Sequence, residues 1–224
     1  MIKLCIFDLD GTLIDSLADL AAACNNALTE CGLGTHETEE YRYYVGNGVI
    51  RLIERIIPPG KISPGVKDKM IALFNEYYHE NYNVYTRPYE GMIPTLDSLC
   101  REGILCAVVS NKPEEFTNTI VKEFFGSRFF AVKGNIPGTP VKPDPAGVKK
   151  VMELVSEKLG APLSGDEVLM IGDSSVDIMT AKNAEIKSVG CTWGFREEKE
   201  LSDSGADYIV HAPEEILTVP GIAR

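Results

Sequence analysis

The sequence predicts an α/β fold, a doubly wound parallel sheet with an inserted all-helical cap. Short apolar runs alternate with helical patterns over most of the chain, which is typical of parallel strands joined by right-handed helical crossovers. Several of these runs end abruptly in polar residues, as at Asp8 and Ser110. One long segment near the N-terminus breaks the alternation because it holds helical patterns only.

The strand signals are short and rich in β-branched residues, which favours buried strands over helices. The strong runs are 3–7, 104–109, 129–132 and 167–171, and weaker ones are 188–189 and 208–210. The helical patterns between them cover 92–102, 113–125, 144–159 and 175–184. Together they predict an open sheet of the Rossmann-like type.

The insertion contains helical patterns over 16–31, 37–44, 48–57 and 64–83. A Pro-Pro-Gly turn at 58–60 divides it, because these residues cannot continue a helix. We therefore expect two domains. The catalytic core comprises 1–15 and 87–224, and the helical cap comprises 16–86.

Composition excludes several classes of function. The chain has 224 residues and a formal net charge of -11, so it lacks the basic footprint of a nucleic-acid-binding protein. It has no apolar run long enough for a signal peptide or a membrane span. Its six cysteines form no C-x-x-C pair, and we expect them to be buried thiols in a reducing compartment. The expected location is the cytoplasm, with no membrane or nucleic-acid partner.

Polar side chains follow three of the predicted strands directly. They are Asp8, Ser110 and Asp173. Ligands of open parallel sheets bind beyond the carboxyl ends of the strands, so these residues are expected to converge on one crevice.

Asp8 and Asp10 are separated by one residue, and their carboxylates would repel unless a cation lies between them or one is protonated. Both outcomes serve catalysis, since one carboxylate can attack phosphorus and a protonated one can donate to a leaving oxygen. A simple strand-to-turn junction explains the pair equally well when it is taken alone.

Asp173 and Asp177 stand four apart where a helix begins, which is expected to put both on one face. Hard oxygen ligands clustered in this way suit Mg²⁺. Helix capping is the simpler explanation of this segment. Ser110 and Asn111 could hold phosphate oxygens, and Lys142 could approach them from a Lys-Pro-Asp-Pro segment.

The four segments together resemble the haloacid dehalogenase superfamily. Asp-Leu-Asp-Gly-Thr-Leu from Asp8 is similar to its first motif, and Ser110-Asn111 to its second. Lys142-Pro-Asp-Pro is similar to the third, and Gly-Asp-Ser-Ser-Val-Asp over 172–177 to the fourth. All four occur in order across nearly the whole chain.

Within the superfamily, the chain resembles the phosphoglycolate phosphatase group. The likeness rests on the loop of Gly46, Asn47 and Gly48, on Glu54-Arg55, and on Arg-Pro-Tyr-Glu-Gly-Met from Arg87. The chain departs from the pattern at 183–185, where Asn-Ala-Glu replaces the usual Ala-Gly. The resemblance implies that this loop and Arg55 select the substrate.

The resemblance implies a Mg²⁺-dependent hydrolysis of a small phosphorylated acid such as 2-phosphoglycolate. Asp8 attacks phosphorus, and Asp10 protonates the leaving oxygen and then activates water. Mg²⁺ is held by Asp8, the Asp10 main-chain carbonyl and Asp173, with Asp177 acting through water. The phosphoryl group is neutralised by Ser110, Asn111 and Lys142. The oligomeric state is left open.

Other functions remain open at this point. A sugar phosphomutase resembling β-phosphoglucomutase, or a broad-range sugar phosphatase, would keep all four motifs. A dehalogenase or phosphonate hydrolase of the same fold would not need the acid at Asp10. A phosphate-sensing regulatory module would use Asp8 as an acceptor, but the second acid and the large cap argue against it.

Overall fold

A computed structural model of the chain describes residues 1–222. They form two compact units. The first comprises Met1–Ile14 together with the chain from Pro88 onward, and the second comprises Asp15–Arg87. The boundaries fall within one or two residues of the predicted cap segment, 16–86.

The strands, in chain order, are β1 (Leu4–Phe7), β2 (Ile14–Asp15), β3 (Arg87–Pro88), β4 (Leu105–Pro113), β5 (Ala131–Asn135), β6 (Val168–Gly172), β7 (Lys187–Cys191) and β8 (Tyr208–Val210). Six of them form one sheet in the order β5-β4-β1-β6-β7-β8, and every pairing in it is parallel. The predicted fold class is confirmed. The two remaining strands, β2 and β3, form a separate two-stranded sheet.

The helices are α1 (Leu17–Glu30), α2 (Tyr41–Tyr44), α3 (Gly48–Ile56), α4 (Pro64–Asn81), α5 (Met92–Arg101), α6 (Glu114–Phe125), α7 (Ala146–Leu159), α8 (Ser175–Asn183) and α9 (Glu198–Asp203). The first four belong to the second unit, in which the described residues form no strand beyond the ends of β2 and β3. No helix within residues 1–222 has the length and apolar character needed to cross a bilayer.

β1 lies at the centre of the six-stranded sheet, and all four of its residues are buried. The sequence of the strand is an unbroken apolar run because a parallel strand that is covered on both faces needs no polar side. Leu4 and Ile6 pack with Val148, Val151 and Val155, which recur along α7 at helical spacing. The central strand therefore holds the residue that follows it, Asp8, in a rigid position.

Two boundary predictions are wrong, and one helix was not predicted. Strand β4 continues to Pro113 instead of ending at Val109, so Ser110 lies within the strand. Strand β5 covers Ala131–Asn135 instead of 129–132. Phe129 precedes it and is half-buried, and its ring packs edge-on against the rings of Phe7 and Phe125. Helix α9 was not predicted, since it is short and mostly polar.

The cysteines are all free thiols, and four of them are buried as expected: Cys5, Cys24, Cys106 and Cys191. Burial raises the pKa of these thiols well above the ordinary value, which makes them unreactive packing groups. The expectation is wrong for Cys100, which is exposed, because it lies at the solvent-facing end of α5.

Candidate active site

Asp8 follows β1, and its backbone is bonded to the neighbouring strand β6. Its backbone N–H donates to the carbonyl of Ile171 at the end of β6, over 2.9 Å. Its carboxylate Oδ1 accepts from the N–H of Leu9 at 2.7 Å and lies 2.8 Å from Lys142 Nζ. The residue is only 8% exposed, so a buried carboxylate meets a buried ammonium here.

Lys142 contacts two carboxylates at once. Its Nζ lies 2.8 Å from Asp8 Oδ1 and 2.7 Å from Asp177 Oδ1, and its side chain is 2% exposed. Burial lowers the pKa of this lysine, but Asp177 and Asp8 raise it more, and the net pKa lies above the ordinary value. Lys142 is therefore a permanent cation between two acids.

Asp173 lies in the turn between β6 and α8. Its carboxylate accepts from the Thr12 hydroxyl at 3.3 Å and from the Phe195 N–H at 2.8 Å. Its pKa is raised to about 8, chiefly by burial and in the same direction by Asp177 and Asp8, although the Phe195 N–H opposes them. Burial likewise raises the pKa of Asp8, to about 6, despite the opposing effect of Lys142.

Asp177 lies in the first turn of α8 and is fully buried. Its Oδ2 accepts from the backbone N–H and the hydroxyl of Ser174, at 3.2 and 2.7 Å, while Oδ1 meets Lys142. Asp173 precedes the helix, which begins at Ser175, so the predicted shared helical face is wrong. The strand-to-helix turn brings the two acids together instead. Ser174 is the N-cap, as the capping interpretation requires.

The carboxylates of Asp8, Asp173 and Asp177 meet, and each offers an oxygen atom within 4.8 Å of the other two. Burial is the main reason that the pKa values of Asp8 and Asp173 are raised, and the negative charge of neighbouring acids raises them further. Lys142 offsets part of this charge. The donor set consists of hard oxygens only, and it therefore fits a divalent cation such as Mg²⁺.

Two of the predicted phosphate ligands lie in the last part of β4. Ser110 is buried, and its hydroxyl accepts from the N–H of Lys112 at 3.3 Å. The side-chain amide of Asn111 bonds the backbone of Lys142 at both ends, donating to its carbonyl at 3.0 Å and accepting from its N–H at 2.8 Å. Asn111 thus fixes the segment that carries Lys142.

Asp10 does not join the three-acid group. Its carboxylate accepts from Lys112 Nζ at 3.0 and 3.1 Å. No motif of the sequence assigned a role to this lysine. The available signal was its place directly after Ser110-Asn111, at the end of the strand beside β1.

The loop after β7 also lies at the site, although it was not predicted to do so. Here the Trp193 indole N–H donates to the carbonyl of Thr12 at 3.0 Å, and Phe195 donates to Asp173. Gly194 approaches so closely that a Cβ there would lie 2.3 Å from Asp173 Cβ. The glycine after an indole was the one visible signal of a close backbone approach.

The predicted substrate-selecting residues lie in the second unit. Gly46 and Gly48 have positive φ angles of 112° and 80°, and Asn47 is the N-cap of α3. Arg55 donates to the Tyr44 carbonyl at 2.8 Å and to Asn47 Oδ1 at 2.6 Å. Arg55 and the glycine loop are therefore one bonded structure, and Glu54 pairs instead with Arg51 and Lys67.

Comparison with known proteins identifies the family. The model of the haloacid dehalogenase-like hydrolases matches residues 5–191, most of the chain. The chain belongs to this family. It is thus an enzyme, and the resemblance found in the four motifs is confirmed.

Relatives of known name match the chain over most of its length. The chain is 33% identical to a phosphoglycolate phosphatase of Vibrio parahaemolyticus, over 99% of this chain and 97% of that protein. It is 32% identical to a phosphoglycolate phosphatase of Aquifex aeolicus, over 96% and 95% of the two chains. A crystal structure of a predicted phosphoglycolate phosphatase from Haemophilus somnus has a TM-score of 0.87 and 30% identity, over 97% of each chain. This haloacid dehalogenase-like hydrolase is a phosphatase.

Proposed function

We propose that this enzyme is a Mg²⁺-dependent phosphatase that transfers a phosphoryl group from a small phosphorylated acid to Asp8 and then to water. One observation carries the proposal. Asp8 is a buried carboxylate that contacts the Lys142 ammonium and adjoins the acids Asp173 and Asp177. A nucleophile beside both a fixed cation and a cation-binding group is what phosphoryl transfer requires.

The residues that would hold Mg²⁺ are Asp8, Asp173 and the main-chain carbonyl of Asp10. Asp177 would act through water, because its two oxygens already accept from Lys142 and Ser174. When bound, Mg²⁺ would offset the negative charge of the carboxylates and of the phosphoryl group.

Asp8 attacks phosphorus and the bond to the ester oxygen breaks, which leaves an aspartyl phosphate and an alkoxide. Asp10 gives its proton to that alkoxide. Lys142 offsets the charge of the transferring group, and Ser110 contributes its hydroxyl. Asn111 supports this geometry through Lys142, whose backbone it binds on both sides. These groups are preorganised by burial, so little rearrangement accompanies the reaction.

In the second half of the reaction, Asp10 takes a proton from water as that water attacks phosphorus. Inorganic phosphate leaves and the Asp8 carboxylate is restored. A carboxylate that gives a proton in one step and accepts one in the next is suited to both, since each step returns it to the form that the other needs.

The substrate is proposed to be 2-phosphoglycolate or a similar small phosphorylated acid. The support for this substrate is that relatives matching this chain over nearly their full length are named phosphoglycolate phosphatase. We further propose that the loop of Gly46, Asn47 and Gly48, with Arg55, selects the acid, because a guanidinium binds a carboxylate through two parallel hydrogen bonds.

A phosphate-release screen tests the proposal. The panel should hold 2-phosphoglycolate, sugar phosphates and an uncharged phosphomonoester, each with Mg²⁺, with excess chelator and with Ca²⁺. We expect the phosphorylated acid to be hydrolysed fastest and the chelator to stop the reaction. Ca²⁺ should inhibit, because its coordination is larger and looser. Full activity in chelator contradicts the role of the metal, and a preference for sugar phosphates contradicts the substrate.

A further inference from the structure

Lys112 forms an ion pair with Asp10 that lies outside the three-acid group. Its Nζ is 3.0 Å from one carboxylate oxygen of Asp10 and 3.1 Å from the other. The two side chains are only 4% and 13% exposed. An ammonium placed evenly between both oxygens fixes the direction of the carboxylate as well as its position.

The fold presents Lys112 to Asp10 from the neighbouring strand. β1 and β4 are adjacent and parallel, with Phe7 opposite Val108, so the last residues of β4 lie beside the residues that follow β1. The register of β4 against β5 shifts between Val109 and Pro113, which is the stretch that contains Lys112. The Lys112 backbone is held there, because its N–H donates to Ser110 Oγ and its carbonyl accepts from the Thr117 hydroxyl at 3.1 Å.

The burial of Lys112 has a desolvation cost that a surface lysine would avoid. Removing an ammonium from water is unfavourable unless a partner charge compensates it, and the carboxylate of Asp10 supplies that charge. Lys112 therefore occupies a buried position in which its ammonium contacts the carboxylate that we assign to proton transfer.

We propose that Lys112 is a positioning residue that holds the Asp10 carboxylate for both of its proton transfers. This rests on the proposed function. Lys112 acts through Asp10 and contacts no reacting atom, so its loss should matter only while Asp10 is present. A lysine that bound the substrate phosphate directly would instead act independently of Asp10.

A double-mutant cycle separates these two cases. The proteins are wild type, Lys112→Met, Asp10→Asn and the double variant, assayed with 2-phosphoglycolate and Mg²⁺. We expect Lys112→Met to lower kcat about tenfold or more with KM changed less than about threefold. In the Asp10→Asn background the same change should alter the residual rate by less than about threefold.

Three controls accompany the double-mutant cycle. Lys112→Arg keeps the charge and should restore part of the lost kcat. Lys150→Met removes an exposed lysine that pairs with Glu153 and should leave the rate unchanged. With p-nitrophenyl phosphate, whose leaving group needs no proton, Lys112→Met should cost less in the formation of phosphoenzyme, measured as the burst of nitrophenol.

If Lys112→Met does not fold, the double variant still tests the proposal, because it removes both buried charges together. An equal rate in Asp10→Asn and the double variant supports positioning. Additive losses, or a raised KM with kcat unchanged, overturn it in favour of direct substrate binding. A wild type that hydrolyses no phosphomonoester overturns the proposed function itself, whereas an active wild type with additive losses overturns only the role of Lys112.

Discussion

The Lys142 ammonium lies 2.8 Å from the carboxylate of Asp8, and both side chains are buried. The same ammonium lies 2.7 Å from Asp177. A single fixed cation therefore balances two of the three clustered acids. Its removal should affect the chemistry and the stability of the metal-free protein together.

Lys142→Ala is expected to lower kcat by more than about tenfold, equivalent to about 1.4 kcal/mol of transition-state stabilisation. The reason is the loss of a cation from beside a transferring phosphoryl group. Steady-state kinetics at saturating Mg²⁺ measure the effect, and Lys150→Ala is the matched control. A decrease in kcat of less than about tenfold would show that Lys142 has a structural role only.

Asp8→Asn should abolish turnover because the amide is not a nucleophile. The variant should fold, and without metal it should melt at a higher temperature than wild type, since one of three repelling carboxylates is neutral. Calorimetry and phosphate release measure the two effects. Asp68→Asn, an exposed acid, is the control and should change neither. Substantial turnover by Asp8→Asn contradicts covalent catalysis by this residue.

The metal-free protein should lose stability as the pH rises from about 4 to about 8. Burial raises the pKa of Asp173 from 3.8 to about 8 and that of Asp8 from 3.8 to about 6. Between these values the folded protein binds more protons than the unfolded chain, so the free energy of unfolding falls with pH. Added Mg²⁺ should stabilise the protein most at the high end of this range, where the carboxylates are ionised.

Melting temperatures in excess chelator across that range check the slope. Asp173→Asn should flatten it, because the most strongly shifted carboxyl is gone. A melting temperature of the metal-free wild type that rises steadily over the range contradicts the raised pKa values of Asp8 and Asp173.

Gly11→Ala tests how closely the first motif approaches Asp173. Gly11 has a φ of 86°, and a Cβ there would lie 2.4 Å from Asp173 Oδ2. Gly205 has a similar φ of 79° with open space around it. Both variants should lose about 1 kcal/mol of stability from backbone strain. Only Gly11→Ala should also lose most activity and weaken the stabilisation by Mg²⁺. Equal activity in the two variants contradicts the close approach.

Arg55→Ala tests substrate selection. Its expected effect is a loss of kcat/KM on 2-phosphoglycolate that exceeds the loss on an uncharged phosphomonoester by about tenfold. Arg51→Ala changes an exposed arginine of the same helix, paired with Glu54, and should affect the two substrates equally. Equal losses with Arg55→Ala would show that this residue does not select the substrate. A broad-range phosphatase or a sugar phosphomutase would then describe the enzyme better.

The fold was predictable because its signals are local. β1 lies between covered faces, so its buried residues form one apolar run. The strand-end rule then indicated Asp8 and Asp173 as neighbours, and the structure brings them together with Asp177. Lys142 needed the family resemblance, because a lysine before a proline carries no local signal of burial.

The missed features depend on tertiary structure. Lys112 is polar, so nothing in the sequence marks it as buried, and its partner lies 102 positions away. The Phe195 N–H reaches Asp173 from a loop after β7 that carries no motif.

The most direct test of the account is the chemical identification of the phosphorylated residue. Wild type and Asp10→Asn are mixed with 2-phosphoglycolate and Mg²⁺, quenched in acid and reduced with borohydride, which converts an aspartyl phosphate to homoserine. Peptide mass spectrometry then locates the change. The account predicts homoserine at Asp8 alone, in larger amount in Asp10→Asn, where the second step is slow. Turnover without modification of Asp8, or modification of another residue, would contradict it.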